Sequence, residues 1–378
     1  MKIAIVHSYL ARIGGANIFI QEVANRLARF GHEVNVIAAR IRRQMYEFDD
    51  KVKTHSVSDL HGKDIRFWIS IPLLVKKLCD KLQSCDPDIA IANHFPSYSA
   101  VLRSELPGVW MCQEPFPFFH NQKVIAKDIK TQLMAMMISL LYSKYDINIA
   151  RRFPLVAGNS SFTRKEIRRV FKRDCEIVYP GFDEKLLEEV STPKREATVL
   201  AGSPTTLLKG FEYTLDAYLK LKSEGKAQQL RVVGNLHPVY RKMIHRALLK
   251  HPDANIVVMG PVNRTELVNE YKRATLLAYP SLREPFGIMP LEAAALGTPV
   301  LYFESGGLRE TMRTGVTGKG VQSGDRNKFK QTMDDLLSNP MTLDRDSDDF
   351  REHIVKFSWR ATVAKLLNLC EQAIGRSV

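Results

Sequence analysis

Short apolar runs of strand length alternate with longer, helix-period segments from one end of the chain to the other, and this alternation restricts the fold more than any other feature. In the first half the runs are Ile3–Val6, Glu33–Ala38, Ile89–Ala92, Val109–Cys112 and Leu155–Ala157, with helical patterns such as Ala16–Phe30 and Thr163–Phe171 between them. A run that is apolar throughout suits a strand covered on both faces, and strands separated by helices pair in parallel through crossovers. Gly31 stands where the first helix should stop. The series closes with Cys175–Val178, the turn-forming Tyr179-Pro180-Gly181-Phe182-Asp183 and the polar stretch Glu188–Glu196. It restarts at Thr198–Ala201, Leu230–Val233, Asn255–Met259, Leu276–Tyr279 and Val300–Phe303. The expectation is an α/β chain of two Rossmann-like, doubly wound domains, one over 1–178 and one over 179–356. A closing amphipathic helix within 357–378 is expected to cross back to the first. At 378 residues each domain has ordinary size, and such pairs bind ligands in a cleft at the carboxyl ends of their strands.

Composition excludes several classes. Met1-Lys2 leads directly into a short apolar strand, so no secretory leader is expected. The longest largely apolar stretch, Leu133–Leu141, falls short of the ~20 residues a bilayer span requires. The cysteines Cys79, Cys85, Cys112, Cys175 and Cys370 show no metal-ligand spacing, which points to reduced thiols in the cytoplasm. Asp86-Pro87-Asp88 precedes a strand and reads as a turn rather than a cation site. The formal charge of +14 attracts phosphates, anionic lipids and nucleic acid alike. Nucleic acid is not expected, because no RNA-binding aromatic signature or helix-turn-helix pattern stands out. Basic clusters such as Arg40-Ile41-Arg42-Arg43, Lys76-Lys77 and Arg168-Arg169 all lie in the first half. There Arg66–Leu82 has the aromatic, aliphatic and basic mix of a helix lying on an anionic membrane, although Pro72 interrupts it.

The most specific chemistry sits where the strand end Tyr279-Pro280-Ser281-Leu282 runs into Arg283-Glu284-Pro285-Phe286-Gly287-Ile288-Met289-Pro290-Leu291-Glu292. Pro285 and Gly287 break the strand and open a helix, which leaves the backbone N–H groups of Phe286, Gly287 and Ile288 for an anion. Glu284 precedes that helix and Glu292 lies about one turn into it, so the two acids can reach different parts of one extended ligand. The pattern suits a nucleotide-sugar. Gly14-Gly15, after the first strand, lets backbone approach phosphate or sugar oxygens, and its spacing matches neither a dinucleotide fingerprint nor a Walker loop. Lys209, in Gly202-Ser203-Pro204-Thr205-Thr206-Leu207-Leu208-Lys209-Gly210, stands where a cation can neutralise a departing diphosphate.

On these residues the chain resembles the retaining GT-B glycosyltransferases of the group 1 family, over nearly its whole length. Gly14-Gly15 is similar to the family's N-terminal glycine loop, and Asn159-Ser160-Ser161-Phe162 and Tyr179–Asp183 resemble its junction motifs. The segment from Arg283 to Glu292 with Gly297-Thr298-Pro299-Val300 resembles its signature, and Phe357-Ser358-Trp359 the start of its closing helix. The resemblance implies a hexose transferred from a UDP- or GDP-sugar to an acceptor hydroxyl, with a glycan or lipid-linked acceptor on the basic N-terminal domain at a membrane face. It implies a donor site in which Glu284 holds the sugar hydroxyls, Glu292 the ribose and Lys209 the diphosphate. Phe286, Gly287 and Ile288 present N–H groups to the donor, and the turn with Val262 borders the base. Catalytic roles fall by the same resemblance on Glu284, Lys209 and Gln113, with neither metal nor cofactor required.

Two positions depart from the family pattern. Ser203 replaces an arginine that contacts the diphosphate, for which Arg283 and Arg12 are candidate substitutes. Gln113, in Cys112-Gln113-Glu114-Pro115, replaces a histidine and cannot titrate near neutrality. His120 is a candidate stand-in, although a solvent-facing loop is the more ordinary place for it. A UDP-amino-sugar epimerase of the same fold, or a non-catalytic nucleotide-sugar-binding or membrane adaptor protein, remain the alternatives at this point.

Overall fold

A computed structural model describes residues 1–11, 14–59, 65–120, 129–189, 197–202 and 204–376. The chain divides into two compact units, Met1–Gly181 with Trp359–Val378, and Phe182–Ser358. The division falls inside Tyr179–Asp183 rather than at 178/179, and Phe357 and Ser358 belong to the second unit rather than to the closing helix.

The first unit is built on a seven-stranded parallel sheet of β1 (Lys2–Leu10), β2 (Glu33–Ile41), β3 (Val52–Ser56), β4 (Ile89–Ala92), β5 (Gly108–Cys112), β6 (Leu155–Gly158) and β7 (Glu176–Ile177), in the order β3-β2-β1-β4-β5-β6-β7. β1 pairs with β2 from Lys2 opposite Glu33 to Leu10 opposite Ile41, and with β4 from Ile3 opposite Ile89. The interior strands are apolar because helices cover both faces. The helix Gly15–Arg29 buries Phe19, Ile20, Val23 and Leu27, a spacing that puts all four on one side. Trp110 of β5 lies 4.4 Å from the ring of Tyr98 and 5.4 Å from that of Phe171, which fixes the centre of this core. The closing helix, Trp359–Gly375, returns to the first unit, where Trp359 packs on Phe19 and under the Arg26 guanidinium.

The second unit has a six-stranded parallel sheet of β8 (Thr198–Gly202), β9 (Gln229–Val233), β10 (Ile256–Gly260), β11 (Leu276–Tyr279), β12 (Val300–Phe303) and β13 (Gly318–Val321), ordered β10-β9-β8-β11-β12-β13. Its strand order reverses at β8, so the loops leaving β8 and β11 part at the switch point where open α/β sheets place ligands. Aromatic pairs Phe211–Tyr240 and Phe303–Phe329 close the core on its helical side.

Three expectations require correction. β3 and β13 were not anticipated: both are edge strands, Val-Lys-Thr-His-Ser and Gly-Lys-Gly-Val, whose open sides need no apolar run. β1 runs on through His7-Ser8-Tyr9-Leu10, past the Ile3–Val6 expected of it. The segment 66–82 is not a single helix with its apolar side chains free for a membrane, although Ile69 and Leu73 are exposed. It forms two helices, Ile65–Ile69 and Ile71–Ser84, that bury Phe67, Trp68, Leu74, Val75 and Leu78 in the core.

Candidate donor site

β8 ends at Gly202 and the chain turns through a single 3-10 turn, Leu207–Lys209. Gly210 follows with φ +63°, and a Cβ there would stand 2.1 Å from the Pro280 carbonyl oxygen. Only glycine lets this turn lie against the loop that leaves β11. The two loops are then joined by backbone, since the Leu282 N–H donates to the Leu208 carbonyl at 2.7 Å. This contact carries Lys209 to the acids of the signature segment.

Lys209 Nζ donates to Glu284 Oε2 at 2.6 Å and to Tyr279 Oη at 3.1 Å, while Tyr279 Oη donates to the same carboxylate oxygen at 2.9 Å. Glu284 is 6% exposed. Among the described residues no donor reaches its Oε1, and one of the three N–H bonds of the Lys209 ammonium is likewise unused by this triad. Burial by itself would lower the lysine's pKa, but the adjoining Glu284 carboxylate and the Tyr279 hydroxyl outweigh it and the value is raised. Burial, then Glu284, pushes the Tyr279 phenol up as well. The ammonium is therefore fixed in its charged form and the phenol in its neutral form throughout the physiological range.

The Glu284 backbone is held from the other side. Its carbonyl accepts the Gly307 N–H at 2.7 Å, and a Cβ on Gly306, at φ +53°, would lie 2.1 Å from that oxygen. The helix Ile288–Ala295 begins just beyond, with Gly287 as its N-cap and no side-chain cap on its first N–H groups. Phe286 is buried against Phe357, and its carbonyl accepts from Thr311 Oγ1. Arg283 is half-buried.

Glu292 lies four residues into this helix and is 7% exposed. Its Oε1 accepts from Arg264 Nη1 at 2.7 Å and its Oε2 from Tyr271 Oη at 3.1 Å. Both partners come from the helix Arg264–Arg273, whose Asn263–Glu266 capping box fixes its start just after Val262. Tyr271 is pushed well up, first by burial and then by Glu292; in Arg264 the Glu292 carboxylate overcomes burial and raises the pKa. Sequence reasoning did not single out Tyr279, Tyr271 or Arg264. Tyr279 was legible as a strand end facing the motif; the other two lie on a helix whose register toward Glu292 no spacing encodes.

The first unit holds a second group of expected residues. Gln113 follows β5 and is buried; its Oε1 accepts from Asn159 Nδ2 at 3.2 Å, and its Nε2 has no partner among the described residues. Asn93, just after β4 and 1% exposed, leaves both amide atoms unpartnered. His7 of β1 pairs through Nε2 with Asn17 Oδ1 at 3.0 Å, while its Nδ1 is buried without a partner. The ring of His94 lies 5.0 Å from that of His7, and burial lowers its pKa to about 4. Orphaned polar atoms of this kind are rare because each forfeits its hydration. Gly14 caps the first helix in extended backbone, with nothing within 4 Å of where a Cβ would stand, and Gly15 opens its first turn.

His120 is not a solvent-facing loop residue. It ends the short helix Pro117–His120, packs against Phe171, and its Nε2 lies 2.6 Å from Oδ2 of the fully buried Asp146, which also accepts from Tyr98 Oη. Burial lowers the imidazole to about 4 and raises the carboxyl well above its ordinary value. Arg12 and Ser203 lie outside the described residues. Among the described residues no group of three or more His, Cys, Asp or Glu gathers into a metal site.

The sequence model described as "Glycosyltransferase Family 4" matches residues 13–186, and that described as "Glycosyl transferases group 1" matches residues 183–356. A D-inositol 3-phosphate glycosyltransferase of Thermobispora bispora is 27% identical over 96% of this chain and 91% of its own length. The fold matches sucrose-phosphate synthase from Thermosynechococcus elongatus with a TM-score of 0.79 at 19% identity, covering 100% of both chains. It matches Anabaena HepE, solved in complex with UDP-glucose, with a TM-score of 0.75 at 16% identity over 98% of this chain and 100% of that one. The chain belongs to the group 1 glycosyltransferases, with the two-domain α/β fold called GT-B. It is accordingly an enzyme of glycosyl transfer.

Proposed function

We propose that this enzyme transfers a hexose, with retention, from a UDP- or GDP-sugar to the hydroxyl of a glycan or lipid-linked acceptor in the cytoplasm, without a metal. One observation carries the reading: Lys209 and Glu284, 75 residues apart in sequence, meet at 2.6 Å beside the start of the helix Ile288–Ala295. A cation, an acid with one oxygen unengaged and uncapped N–H groups are what a sugar diphosphate needs at its two ends. Lys209, with the N–H groups of Phe286, Gly287 and Ile288, takes the diphosphate, and Glu284 Oε1 takes a sugar hydroxyl. Glu292, oriented by Arg264 and Tyr271, takes the ribose, and Val262 borders the base. As the anomeric C–O bond breaks, its electron pair goes to the diphosphate, and the acceptor oxygen forms the new bond to the same carbon. Lys209 stabilises that charge and a diphosphate oxygen accepts the proton of the incoming hydroxyl. The orphaned amides of Asn93 and Gln113 are suited to the hydroxyl groups of an acceptor. The name of the Thermobispora relative makes inositol 3-phosphate one acceptor to try.

Transfer is read with radiolabelled UDP- and GDP-sugars against inositol 3-phosphate, a lipid-linked glycan and no acceptor. Product with one acceptor, reduced about a hundredfold or more in Lys209→Met, agrees with the proposal. Product formed without any acceptor identifies an epimerase or hydrolase instead. No turnover with any donor, together with donor binding unchanged in Glu284→Gln, contradicts it.

A further inference from the structure

The helix Ile129–Arg152 is the longest in the first unit and has two unlike sides. Ala135, Ile138, Ile149 and Ala150 face the core. On the other side Leu133, Met136, Met137, Leu140, Leu141 and Tyr145 are all exposed, Leu140 to 72% and Leu141 to 68%. Their spacing of three and four residues makes one continuous stripe along the helix. Exposed large apolar residues scattered singly need no explanation, but a contiguous stripe does. The neighbouring helix Ile65–Ile69 is tied to this one by Tyr142 Oη, which donates to the Trp68 carbonyl at 2.6 Å, and it contributes Ile69, also exposed.

We propose that this stripe is the surface by which the enzyme lies on an anionic lipid bilayer, with the helix in the plane of the interface. Charge selects the occupant. Lys144, Arg151 and Arg152 flank the stripe in exposed positions, whereas the one acid among the helix residues, Asp146, is fully buried against Tyr98 and His120. Basic residues bordering an apolar face attract anionic headgroups while the apolar side chains enter the acyl boundary. A second copy of the chain would bring the same basic flank against itself, which like-charge repulsion opposes. No helix among the described residues is long and apolar enough to cross a membrane, so the helix lies on the bilayer and does not span it. The membrane contact expected of residues 66–82 thus shifts mainly to a different helix, with Ile69 retained, because most of the apolar groups there are spent on the core. The inference stands apart from the transfer reaction, since lipid binding is read without donor or acceptor.

The test is co-sedimentation of the full chain with vesicles of phosphatidylcholine alone or mixed with phosphatidylglycerol. Binding to the mixed vesicles is expected, and Met137→Glu/Leu140→Glu/Leu141→Glu should weaken it by roughly tenfold or more with the melting temperature unchanged, because those side chains are already in water. Leu141→Trp supplies a milder reporter, whose emission should shift to the blue on mixed vesicles. Equal binding by parent and triple variant, or a tryptophan whose emission ignores the vesicles, overturns the proposal. So does a dimer that the triple substitution dissolves while the parent fails to bind vesicles, which would assign the stripe to a second copy.

Discussion

Replacing Lys209 with methionine isolates the pair on which the donor site rests. The substitution keeps most of the side chain's volume and removes a cation lying 2.6 Å from Glu284 Oε2. Truncating one partner of a buried ion pair costs about 3–5 kcal/mol, mostly because the other charge stays buried. The Lys209 side chain is 24% exposed and that of Glu284 8%, so water relieves part of the loss and the low end, about 3 kcal/mol, is expected. Glu284→Gln should cost less, roughly 1–2 kcal/mol, since the ammonium it leaves is the better-hydrated partner and the amide oxygen still accepts from Tyr279. The double variant removes both charges and should cost no more than about 2 kcal/mol, a coupling of roughly 2–3 kcal/mol. Two units with separate cores need not melt together, so calorimetry is the assay of choice. The transition that belongs to Phe182–Ser358 should move, and the other should stay. Costs that add without coupling would refute the claim that these two residues form a desolvated pair.

Other consequences are equally specific. Gly306→Ala sets a Cβ 2.1 Å from the Glu284 carbonyl at a φ of +53°, so the loop must move; a loss of about 2 kcal/mol in stability and a raised KM for the donor are expected. Normal donor KM in that variant would mean that Glu284 does not hold the sugar. His94 titrates near 6.5 when unfolded and at about 4 in the fold, where burial opposes its charge. The unfolded chain then binds the extra proton between those values, so this contribution is intact above about 6.5 and is lost as pH falls toward 4, up to roughly 3 kcal/mol. Chemical denaturation across that window should show the slope in the parent and a shallower one in His94→Gln. Equal slopes would rule out a buried neutral imidazole.

Much of this architecture is legible from residue order because parallel sheets leave a plain signature. Interior strands such as Ile89–Ala92 and Val300–Phe303 are buried on both sides and are apolar at every position. Edge strands escape notice for the converse reason, as Lys53 and Lys319 stand where water is available. In the candidate donor site the sequence brings Glu284 and Glu292 into view through Pro285, Gly287 and the helix that follows. It does not reveal the partners of Glu292: Tyr271 and Arg264 act through tertiary register, which has no local pattern. The segment 66–82 shows the opposite failure, in which an amphipathic composition suited to a lipid surface is equally suited to packing under a sheet, and tertiary context decides. Leu133–Leu141, too short for a bilayer span, carries the exposed stripe instead.

The central claim is that the unit Phe182–Ser358 grips the sugar nucleotide through Lys209, Glu284 and the start of the helix Ile288–Ala295. Backbone hydrogen exchange with and without a panel of UDP- and GDP-sugars tests it most directly. The account predicts slowed exchange at Leu207–Gly210 and Leu282–Glu292 with at least one donor, abolished in Lys209→Met/Glu284→Gln. Protection by that donor confined to other segments, or undiminished in the double variant, would contradict it.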